Sequence, residues 1–525
     1  MSHSGPTPSA PPTKEQLVAI LASSVNTEEC LSCAYHAEQI GETELQLHCL
    51  EKAVALDRNN RPALLALAAL SLDQDQSAAT YAFLEEAARI EPLTTDIESL
   101  KERLFSEIRH NPELGGYLHA IGRATPSAPS KTLRIVLLTN LFPPQELGGY
   151  GRMMWEFAQG LHARGHTVRV LTSDAVDLAK KPTADESAFE SHVQRNLQLA
   201  GGWRDGRAEL LSDRSEIARR LRDNATKLRA AIVKQKADLV LVGNLDLLGV
   251  SVLSPAFDQR VPVLHALANA NPGYAPEEQP ADPRYWVAPC SDWNGEVYQK
   301  AGYKPARVET LYPGGRVDRF FRLFLPDRAR LRICYASLVM PYKGIQTLVD
   351  ALAALHRLGV DFTAEIAGDT PDPAFRTQLD NLVQTEGMSD KVQFTGFLDR
   401  QGLTALFARN NVLVFPSIFQ EPFGISQVEA LAAGLVVISS GTGGAKEIIR
   451  DGTDGLLFPA GDATTLASRL KLLLDDSSLM AKLQKNGQAR ASLFSVDQAV
   501  QKIELLAAEL QASAAEADFT AKAPL

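Results

Sequence analysis

The sequence predicts an α/β fold in which two doubly wound, Rossmann-like domains face each other across a cleft, preceded by an all-α helical-repeat domain. Residues 15–125 contain helical patterns only. From Leu133 onward, short apolar runs alternate with amphipathic stretches, and the same alternation begins again after Pro326. Such alternation is typical of parallel sheets that are covered by helices on both faces.

These changes in pattern set the predicted domain boundaries. A chain of 525 residues is too long for a single core. The segment 111–131, rich in proline and small residues, is the predicted linker. We expect a disordered N-terminus at residues 1–14, the helical domain at 15–125, the two Rossmann-like domains at 131–325 and 326–511, and a flexible tail at 512–525.

Composition and charge exclude several classes of protein. The net charge is −10, so no overall field attracts the chain to nucleic acid, and we expect no nucleic-acid partner. Five cysteines in so long a chain indicate a reducing compartment. The sequence has no apolar run of transmembrane length and no apolar signal core near Met1. These features predict a cytoplasmic protein and leave open a peripheral attachment to the inner membrane.

The helical region carries an internal repeat. The segment LEKAVALD at residues 50–57 recurs as LEEAARIE at residues 84–91, an offset of 34 residues. This period is the length of a tetratricopeptide repeat, in which each helix pair buries one face on its neighbour. The pattern therefore predicts a tetratricopeptide-like domain, whose surface would be available to a protein partner. An ordinary helical bundle is the alternative.

A C-x-x-C pair, Cys30 and Cys33, lies within this region, with His36 and Cys49 nearby. One explanation is a zinc cluster. The other is a helix whose buried face includes Cys30, Cys33, Ala37 and Ile40, since small thiols are common in cores. Because the chain has no second C-x-x-C, we favour the helical explanation and expect no metal site here.

The two α/β regions each contain a series of predicted strands. A loop rich in proline and glycine, residues 142–151, follows the first strand and precedes an amphipathic stretch, residues 152–164. Predicted helices of the second region are at 345–358 and 375–386. The strands are predicted at residues 133–139, 168–172, 239–242, 261–264 and 286–288, and then at 332–336, 362–367, 392–395 and 412–415.

The segment FPSIFQEPFGISQVEALAAG, residues 415–434, has the most informative pattern in the chain. A strand ends, a loop follows, and a short helix begins near Ser426. The backbone N–H groups of Phe423, Gly424 and Ile425 lie at the start of this helix, where they can bind sugar hydroxyls and phosphate oxygens. Glu421 and Glu429 flank the loop. A capping box from Ser426 to Glu429 is the alternative explanation for the second glutamate, but not for the first.

Two glutamates around a P-F-G loop, followed by A-x-x-x-G, resemble the donor site of the family 4 retaining glycosyltransferases, which have the GT-B fold. Further segments agree in order, and the resemblance extends over about residues 133–510. The agreeing segments are residues 144–164, 164–168, 289–291, 312–318, 343–344, 396–398, 443–447 and 451–457.

This resemblance implies roles for three charged residues. Glu429 would bind the ribose hydroxyls of a nucleoside diphosphate sugar, Glu421 would contact the transferred sugar, and Lys343 would neutralise the diphosphate. Transfer with retention by a hexosyl-type enzyme is the implied activity, with the nucleotide sugar as co-substrate and no cofactor. The acceptor is not identified and would be a glycan, a lipid or a protein.

Four further residues receive roles from the resemblance. Gly148 and Gly149 would let the first loop approach the phosphates, and Leu398 would offer backbone contacts to the base. His265 aligns with a family histidine beside the transferred sugar. Its alternative explanation is a hydrogen-bonded histidine at the end of a strand.

One position departs from the family pattern. Leu338 stands where the family usually has an arginine, five residues before Lys343, so half of the expected diphosphate clamp is absent. This departure keeps a non-catalytic, donor-binding scaffold among the alternatives, together with an assembly protein that acts through the helical repeats. A sugar-nucleotide epimerase is a further alternative.

No metal site is expected in the cleft, because the one D-x-D of the chain, Asp73 to Asp75, lies in the helical region. The predicted transfer is therefore metal-independent. Gly149 and Gly151 lack the third glycine of a dinucleotide fingerprint, which argues against an NAD oxidoreductase.

Overall fold

The computed structural model describes residues 12–108 apart from 58 and 75, residue 129, and residues 131–520 apart from 205–206, 323–324 and 327. It divides into two compact units, a helical unit that comprises the described N-terminal residues with Phe321 and Arg322, and an α/β unit that comprises the rest. Most of the predicted N-terminal segment, residues 1–11, and most of the predicted linker, residues 111–128 and 130, lie outside the described residues.

The described part of the helical unit contains six helices. These are α1 (Lys14–Ser23), α2 (Thr27–Gln39), α3 (Thr43–Leu56), α4 (Arg61–Asp73), α5 (Ser77–Ile90) and α6 (Thr95–Ile108). Helices α2 and α3 pack as one pair, and α4 and α5 as the next. The prediction of an all-helical domain is confirmed.

The bounds of these helices recur at the predicted period. Helices α2 and α4 begin at residues 27 and 61, and α3 and α5 begin at residues 43 and 77, so both pairs are offset by 34 residues. Buried side chains recur in the same way: Cys49 corresponds to Phe83, and Leu50 to Leu84. The assignment to the tetratricopeptide class itself stays a prediction.

The three cysteines of this unit are core residues. Cys30, Cys33 and Cys49 are all buried. Burial raises the pKa of the Cys33 thiol and raises the pKa of Cys49 to about 12, so both remain protonated at neutral pH. Among the described residues, no group of three or more His, Cys, Asp or Glu side chains has a metal-binding arrangement. The burial of Cys30, Cys33 and Ala37 on α2 agrees with the helical-face explanation, whereas Ile40, predicted on the same face, is exposed at the end of the helix.

The first Rossmann-like domain contains a seven-stranded parallel sheet with the order β3-β2-β1-β6-β7-β8-β9. Its strands are β1 (Arg134–Leu138), β2 (Thr167–Ser173), β3 (Val193–Leu197), β6 (Leu239–Val242), β7 (Val263–Leu267), β8 (Tyr285–Pro289) and β9 (Arg307–Val308), and β4 (Gly201–Arg204) with β5 (Arg207–Leu210) forms a separate antiparallel hairpin. Its helices are α7 (Tyr150–Ala163), α8 (Ala184–Phe189), α9 (Arg214–Gln235), α10 (Ser254–Asp258) and α11 (Asp292–Lys300), and the next helix, α12 (Val317–Phe320), packs on the second domain.

The second Rossmann-like domain contains a six-stranded parallel sheet with the order β12-β11-β10-β13-β14-β15. Its strands are β10 (Leu331–Ala336), β11 (Phe362–Ala367), β12 (Val392–Gly396), β13 (Val412–Phe415), β14 (Val436–Ser439) and β15 (Leu456–Leu457). Its helices are α13 (Ile345–Arg357), α14 (Pro373–Thr385), α15 (Arg400–Arg409), α16 (Ile425–Ala432), α17 (Ala463–Asp475) and α18 (Ser477–Ser492), and α19 (Val496–Thr520) follows.

Each sheet reverses its strand order at one point, between β1 and β6 in the first and between β10 and β13 in the second. In parallel α/β sheets, ligands bind outside the carboxyl ends of the strands at this switch point. Every predicted strand is present, with bounds shifted by three residues or fewer. The prediction missed β3, the β4–β5 hairpin, β9, β14 and β15. Among the described residues, no helix combines the length and apolar character needed to span a bilayer.

The last helix returns to the first domain. Val500, Ile503 and Leu506 of α19 are fully buried in the core that contains Leu133 and α7. Residues 496–511 thus belong to the packing of the first Rossmann-like domain, although the predicted boundary assigned them to the second. Residues 512–520, predicted as part of a flexible tail, continue α19. The sequence pattern marks a helix here but not the surface on which it packs.

A buried ion pair fixes this returning helix. Glu504 of α19 accepts two hydrogen bonds from Arg164, at 2.7 and 2.8 Å, and lies 2.7 Å from His166 Nε2. The Arg164 side chain is only 6% exposed. Removal of one partner of a buried pair leaves a charge without compensation, which is costly.

We therefore expect Glu504→Ala to lower the free energy of unfolding of the α/β unit by about 3 kcal/mol. Glu509→Ala is the matched control on the same helix, because Glu509 pairs with Arg307 at an exposed site, where a pair contributes less than about 1 kcal/mol. Chemical denaturation followed by tryptophan fluorescence measures both. Equal losses in the two variants would show that the returning helix does not depend on this pair.

Candidate active site

Two of the predicted site residues form an ion pair at the carboxyl ends of the second sheet. Lys343, in a single 3-10 turn after β10, has its Nζ 2.7 Å from Oε1 of Glu421, in the loop after β13. The Ser417 hydroxyl donates a second hydrogen bond to the same oxygen, at 2.6 Å. Both charged side chains are mostly buried, 17% and 8% exposed. The structure therefore brings the predicted diphosphate and sugar residues into direct contact.

Gly344 allows these two loops to approach each other. Its φ is +71°, and a Cβ at this position would lie 1.8 Å from the carbonyl oxygen of Pro416. Only glycine fits such a position without a shift of the backbone. The glycine after Lys343 thus keeps the lysine beside the Glu421 loop, a reason for the Lys-Gly pair that the sequence pattern did not give.

The P-F-G loop leads into α16 as predicted, but with a different cap. Gly424, with φ +111°, is the N-cap residue, and no side chain caps the helix. The capping box from Ser426 to Glu429 is therefore absent, which removes the alternative explanation for Glu429. Phe423 is buried against the rings of Tyr312 and Phe494, with centroid distances of 5.5 and 5.7 Å. Ile425 is the first residue of the helix.

Glu429 lies at the centre of a group of buried charges. Its side chain is 3% exposed, and its Oε1 lies 2.8 Å from a guanidinium nitrogen of Arg400, the first residue of α15. Glu156 of α7 lies 4.0 Å from the same guanidinium and also pairs with Arg316 at 3.2 Å. Burial raises the pKa of Glu429, against the effect of Arg400, and the charge of Glu156 raises it further.

Arg400 and Glu156 were not predicted from the sequence. Neither belongs to a short motif, and the two are brought together only because α7 of the first domain faces α15 of the second. The Arg400 guanidinium also lies over the ring of Phe320, 5.3 Å from its centroid. These contacts orient Glu429 from the two sides of the cleft.

His265 lies in the core rather than at an open surface. It is fully buried on β7, and its Nδ1 is 2.8 Å from the hydroxyl of Tyr285. Burial lowers its pKa to about 3, so the imidazole is neutral at physiological pH. The Tyr285 contact agrees with the alternative explanation, a hydrogen-bonded histidine in a strand, and the catalytic role of His265 stays a prediction.

The structure gives the positions of the remaining predicted residues but not their contacts with a ligand. Gly148 and Gly149 precede α7, and a Cβ at either would meet no atom within 4 Å. Leu398 is half-buried before Asp399, whose carboxylate caps α15. Their contacts with phosphate and base stay predictions.

Leu338, at the position of the family arginine, is 39% exposed. It follows β10, and its carbonyl oxygen accepts a hydrogen bond from the Tyr335 hydroxyl at 2.6 Å. The leucine side chain therefore does not fill the core at the end of the strand, and the position has room for a longer side chain.

The two Rossmann-like domains meet beside the Glu421 loop. The carboxylate of Glu447 accepts hydrogen bonds from the backbone N–H groups of Asp292 and Trp293, at 3.0 and 2.8 Å, at the start of α11. The Gly444 N–H donates to the carbonyl oxygen of Glu421 at 2.8 Å. A Cβ at Gly444 would lie 2.3 Å from the hydroxyl oxygen of Ser291, so the glycine permits close contact between the domains. The 443–447 segment thus connects Glu421 to the first domain.

The raised pKa of Glu429 predicts how stability changes with pH. A carboxyl whose pKa is raised by folding stabilises the native state at low pH, and that contribution is lost as the pH rises through the folded pKa. Glu429→Gln keeps the shape without the charge. Its thermal midpoint relative to the wild type should therefore be higher at about pH 8 than at about pH 5. Glu296→Gln, at an exposed site on α11, should show no such rise. A larger relative stability of Glu429→Gln at the lower pH would contradict the assignment.

Comparison with known proteins gives a family match in the second domain. Residues 320–490 match the family described as glycosyl transferases group 1. The chain is 32% identical over 201 residues to 2-deoxystreptamine glucosyltransferase of Streptomyces kanamyceticus, a match that covers 38% of this chain and 49% of that protein. It is 28% identical over 230 residues to D-inositol 3-phosphate glycosyltransferase of Salinispora tropica, covering 40% and 47%. The chain thus spans about half the length of these two curated relatives.

A longer match and two solved structures cover both Rossmann-like domains. Glycogen synthase of Mycobacterium tuberculosis is 25% identical over 386 residues, 68% of this chain and 90% of that protein. The Anabaena protein HepE in complex with UDP has a TM-score of 0.56 at 21% identity and covers 72% of this chain and 100% of its own. Sucrose-phosphate synthase of Thermosynechococcus elongatus has a TM-score of 0.54 at 23% identity, with the same coverage. The α/β unit therefore has the GT-B glycosyltransferase fold, and its residues 320–490 are similar to the glycosyl transferases of group 1.

Proposed function

We propose that this protein is a glycosyltransferase that transfers a sugar from a nucleoside diphosphate sugar to an acceptor, with retention of the anomeric configuration and without a metal ion. The observation that carries the proposal is the Lys343–Glu421 ion pair beside the helix start at Gly424, at the switch point of the second sheet. A cation, a carboxylate and free backbone N–H groups are the groups that a diphosphate sugar requires.

The charges of the site suit departure of a diphosphate. In the transfer, the bond from the anomeric carbon to the phosphate oxygen breaks, and its electron pair leaves with the diphosphate. The acceptor oxygen forms the new bond and gives its proton to the departing diphosphate oxygen. Negative charge therefore develops on the diphosphate, and a fixed lysine with N–H groups stabilises it. When the donor binds, the Lys343 ammonium group would contact the phosphate oxygens as well as the Glu421 carboxylate.

Glu429 would bind the ribose. Its carboxylate is held by Arg400 on α15, and it lies one helix turn beyond Gly424 on α16. A carboxylate with two acceptor oxygens suits two neighbouring hydroxyl groups. On this assignment the nucleotide would lie along α16, with the sugar toward Glu421 and the base toward Leu398.

We further propose that the helical unit has a separate role. The 34-residue offset of its helix bounds supports the tetratricopeptide-like assignment. Units of this kind present an extended surface to a partner. The helical unit would then recruit the acceptor or a protein partner, while the α/β unit binds the donor.

A donor-binding protein without turnover is the second candidate function. The observation that favours it is Leu338, which is exposed where the family has an arginine. With leucine there, the diphosphate has one fewer fixed cation. Transfer assays decide between the two candidates, because a scaffold binds the nucleotide sugar and releases no product.

The test of the proposed function is transfer from a panel of nucleotide sugars, with the anomeric configuration of the product read by NMR. Glu421→Gln should lower kcat at least tenfold with little change in donor affinity, since it acts where charge develops. Glu429→Ala should chiefly weaken donor binding. Transfer should persist in EDTA. Equal effects of the two substitutions on kcat alone, or strict dependence on added magnesium or manganese, would contradict these assignments.

The substitution of Lys343 tests how the diphosphate is held. Lys343→Ala leaves a partly buried anion unpaired, so donor binding should weaken by about 2–4 kcal/mol in a calorimetric titration. Leu338→Arg should tighten binding roughly tenfold, because an arginine there can form two parallel hydrogen bonds to phosphate. Leu338→Met is the control for side-chain length. Normal affinity in Lys343→Ala would mean that other residues bind the diphosphate.

A further inference from the structure

A cavity opens at the carboxyl ends of β6 and β7, in the first Rossmann-like domain. Its volume is about 570 Å³, within the range of small-molecule sites. Its lining is mostly apolar, with one carboxylate and one amide side chain. The residues that define this Asp246 pocket are Ala208, Leu210, Asp246, Asn271, Pro272 and Tyr303.

Asp246 is the charged group of the pocket. It lies four residues beyond the end of β6, half-buried, and no described lysine, arginine or histidine forms an ion pair with it. Burial raises the pKa of its carboxyl, and the Asn244 side chain is the one group that acts against this. A partly buried carboxylate without a cationic partner, beside an open cavity, is typical of a binding site rather than of a structural ion pair.

The backbone around Asp246 is strained. Leu247 has φ +63°, an unusual value for a residue with a branched side chain. Gly273, with φ +83°, packs so closely that a Cβ there would lie 2.8 Å from Oδ1 of Asp246. Strain of this kind persists where the surrounding structure fixes a functional group. The local backbone thus holds the carboxylate toward the cavity.

The pocket lies at the carboxyl ends of β6 and β7, the edge at which parallel α/β sheets bind ligands. The first sheet reverses its strand order between β1 and β6, so Asp246 follows a strand of the switch point. After the nearby strand β8, Cys290 Sγ lies 3.5 Å from the carbonyl oxygen of Pro422, the residue after Glu421. The carboxyl ends of this sheet therefore include both the Asp246 pocket and a contact with the Glu421 loop.

The charge of the lining restricts what can bind. No lysine or arginine is among the lining residues that the structure describes, and Asp246 repels anions. Leu210 is 66% exposed at the rim, and Tyr303 and Pro272 add apolar surface. Apolar surface suits the C–H face of a ring, while Asp246 and Asn271 can accept hydrogen bonds from hydroxyl or ammonium groups.

We propose that the Asp246 pocket is the acceptor site and that it binds a compact polyhydroxylated ring without an anionic group, with a preference for a ring that carries an amine. The role of the bound ring as an acceptor rests on the proposed function. The binding of the ring in the pocket does not depend on it. In the pocket, Asp246 orients a hydroxyl or ammonium group, and the apolar rim at Leu210 covers one face of the ring.

The test is a calorimetric titration of the full-length protein, in the presence of UDP, with glucosamine, myo-inositol and glucose 6-phosphate. Glucosamine should bind best and glucose 6-phosphate at least tenfold more weakly. Asp246→Asn should weaken glucosamine binding at least tenfold and leave the thermal shift by UDP unchanged. Asp258→Asn, at a surface pair with Arg229, is the matched control and should bind like the wild type.

A variant at the rim keeps the proposal testable if Asp246→Asn fails to fold. Leu210→Lys changes an exposed side chain and should improve the binding of glucose 6-phosphate relative to glucosamine. The proposal is overturned if glucose 6-phosphate binds the wild type as well as glucosamine does, if none of the three rings binds, or if folded Asp246→Asn keeps wild-type affinity.

The binding readout separates this proposal from the proposed function. Ring binding that depends on Asp246, without any sugar transfer, would leave the pocket valid and refute the transferase activity. Transfer to a ring with an unchanged acceptor KM in Asp246→Asn would support the activity and refute the pocket.

Discussion

The geometry of the α/β unit depends on the return of its last helix to the first Rossmann-like domain. The chain crosses between the domains near Gly315 and again near Phe494, and these two crossings are hydrogen-bonded to each other, with Gly315 N–H donating to Phe494 O at 2.7 Å. Beyond the second crossing, α19 buries its apolar face in the first core, and Arg164 and Glu504 fix it there. Two neighbouring chain segments, at Gly315 and at Phe494, therefore connect the two domains. This double connection restricts the cleft between their sheets.

This constraint explains why charged groups can remain buried at the cleft. Glu429 is unfavourable in its charged form, as its raised pKa shows. Arg400 compensates this charge, whereas the charge of Glu156 acts against it. Glu447, by contrast, stabilises the contact between the two domains, because its carboxylate accepts hydrogen bonds from two N–H groups at the start of α11. Burial of the Glu429 charge thus opposes stability at the proposed nucleotide site, whereas Glu447 stabilises the contact between the domains.

Much of the fold could be predicted from the sequence, because buried parallel strands and amphipathic helices have distinct periods. The strands from β10 to β13 were found in this way, and the PFG loop with its two glutamates identified the Lys343–Glu421 region. The missed strands β9 and β15 have two residues each, too few to show a period. Arg400 and Asp246 depend on contacts between distant segments, which local patterns do not contain. The pattern likewise placed His265 on a strand but did not show that its ring is fully buried, with Nδ1 beside the Tyr285 hydroxyl.

The central claim is that the Lys343, Glu421 and Glu429 arrangement binds a nucleoside diphosphate sugar. A crystal structure with UDP tests it most directly. We expect diphosphate oxygens within hydrogen-bonding distance of Lys343 Nζ and of the N–H groups at Gly424 and Ile425, and ribose hydroxyls at the Glu429 carboxylate. A nucleotide bound elsewhere, with the Lys343–Glu421 contact intact and Glu429 paired only with Arg400, would contradict the account.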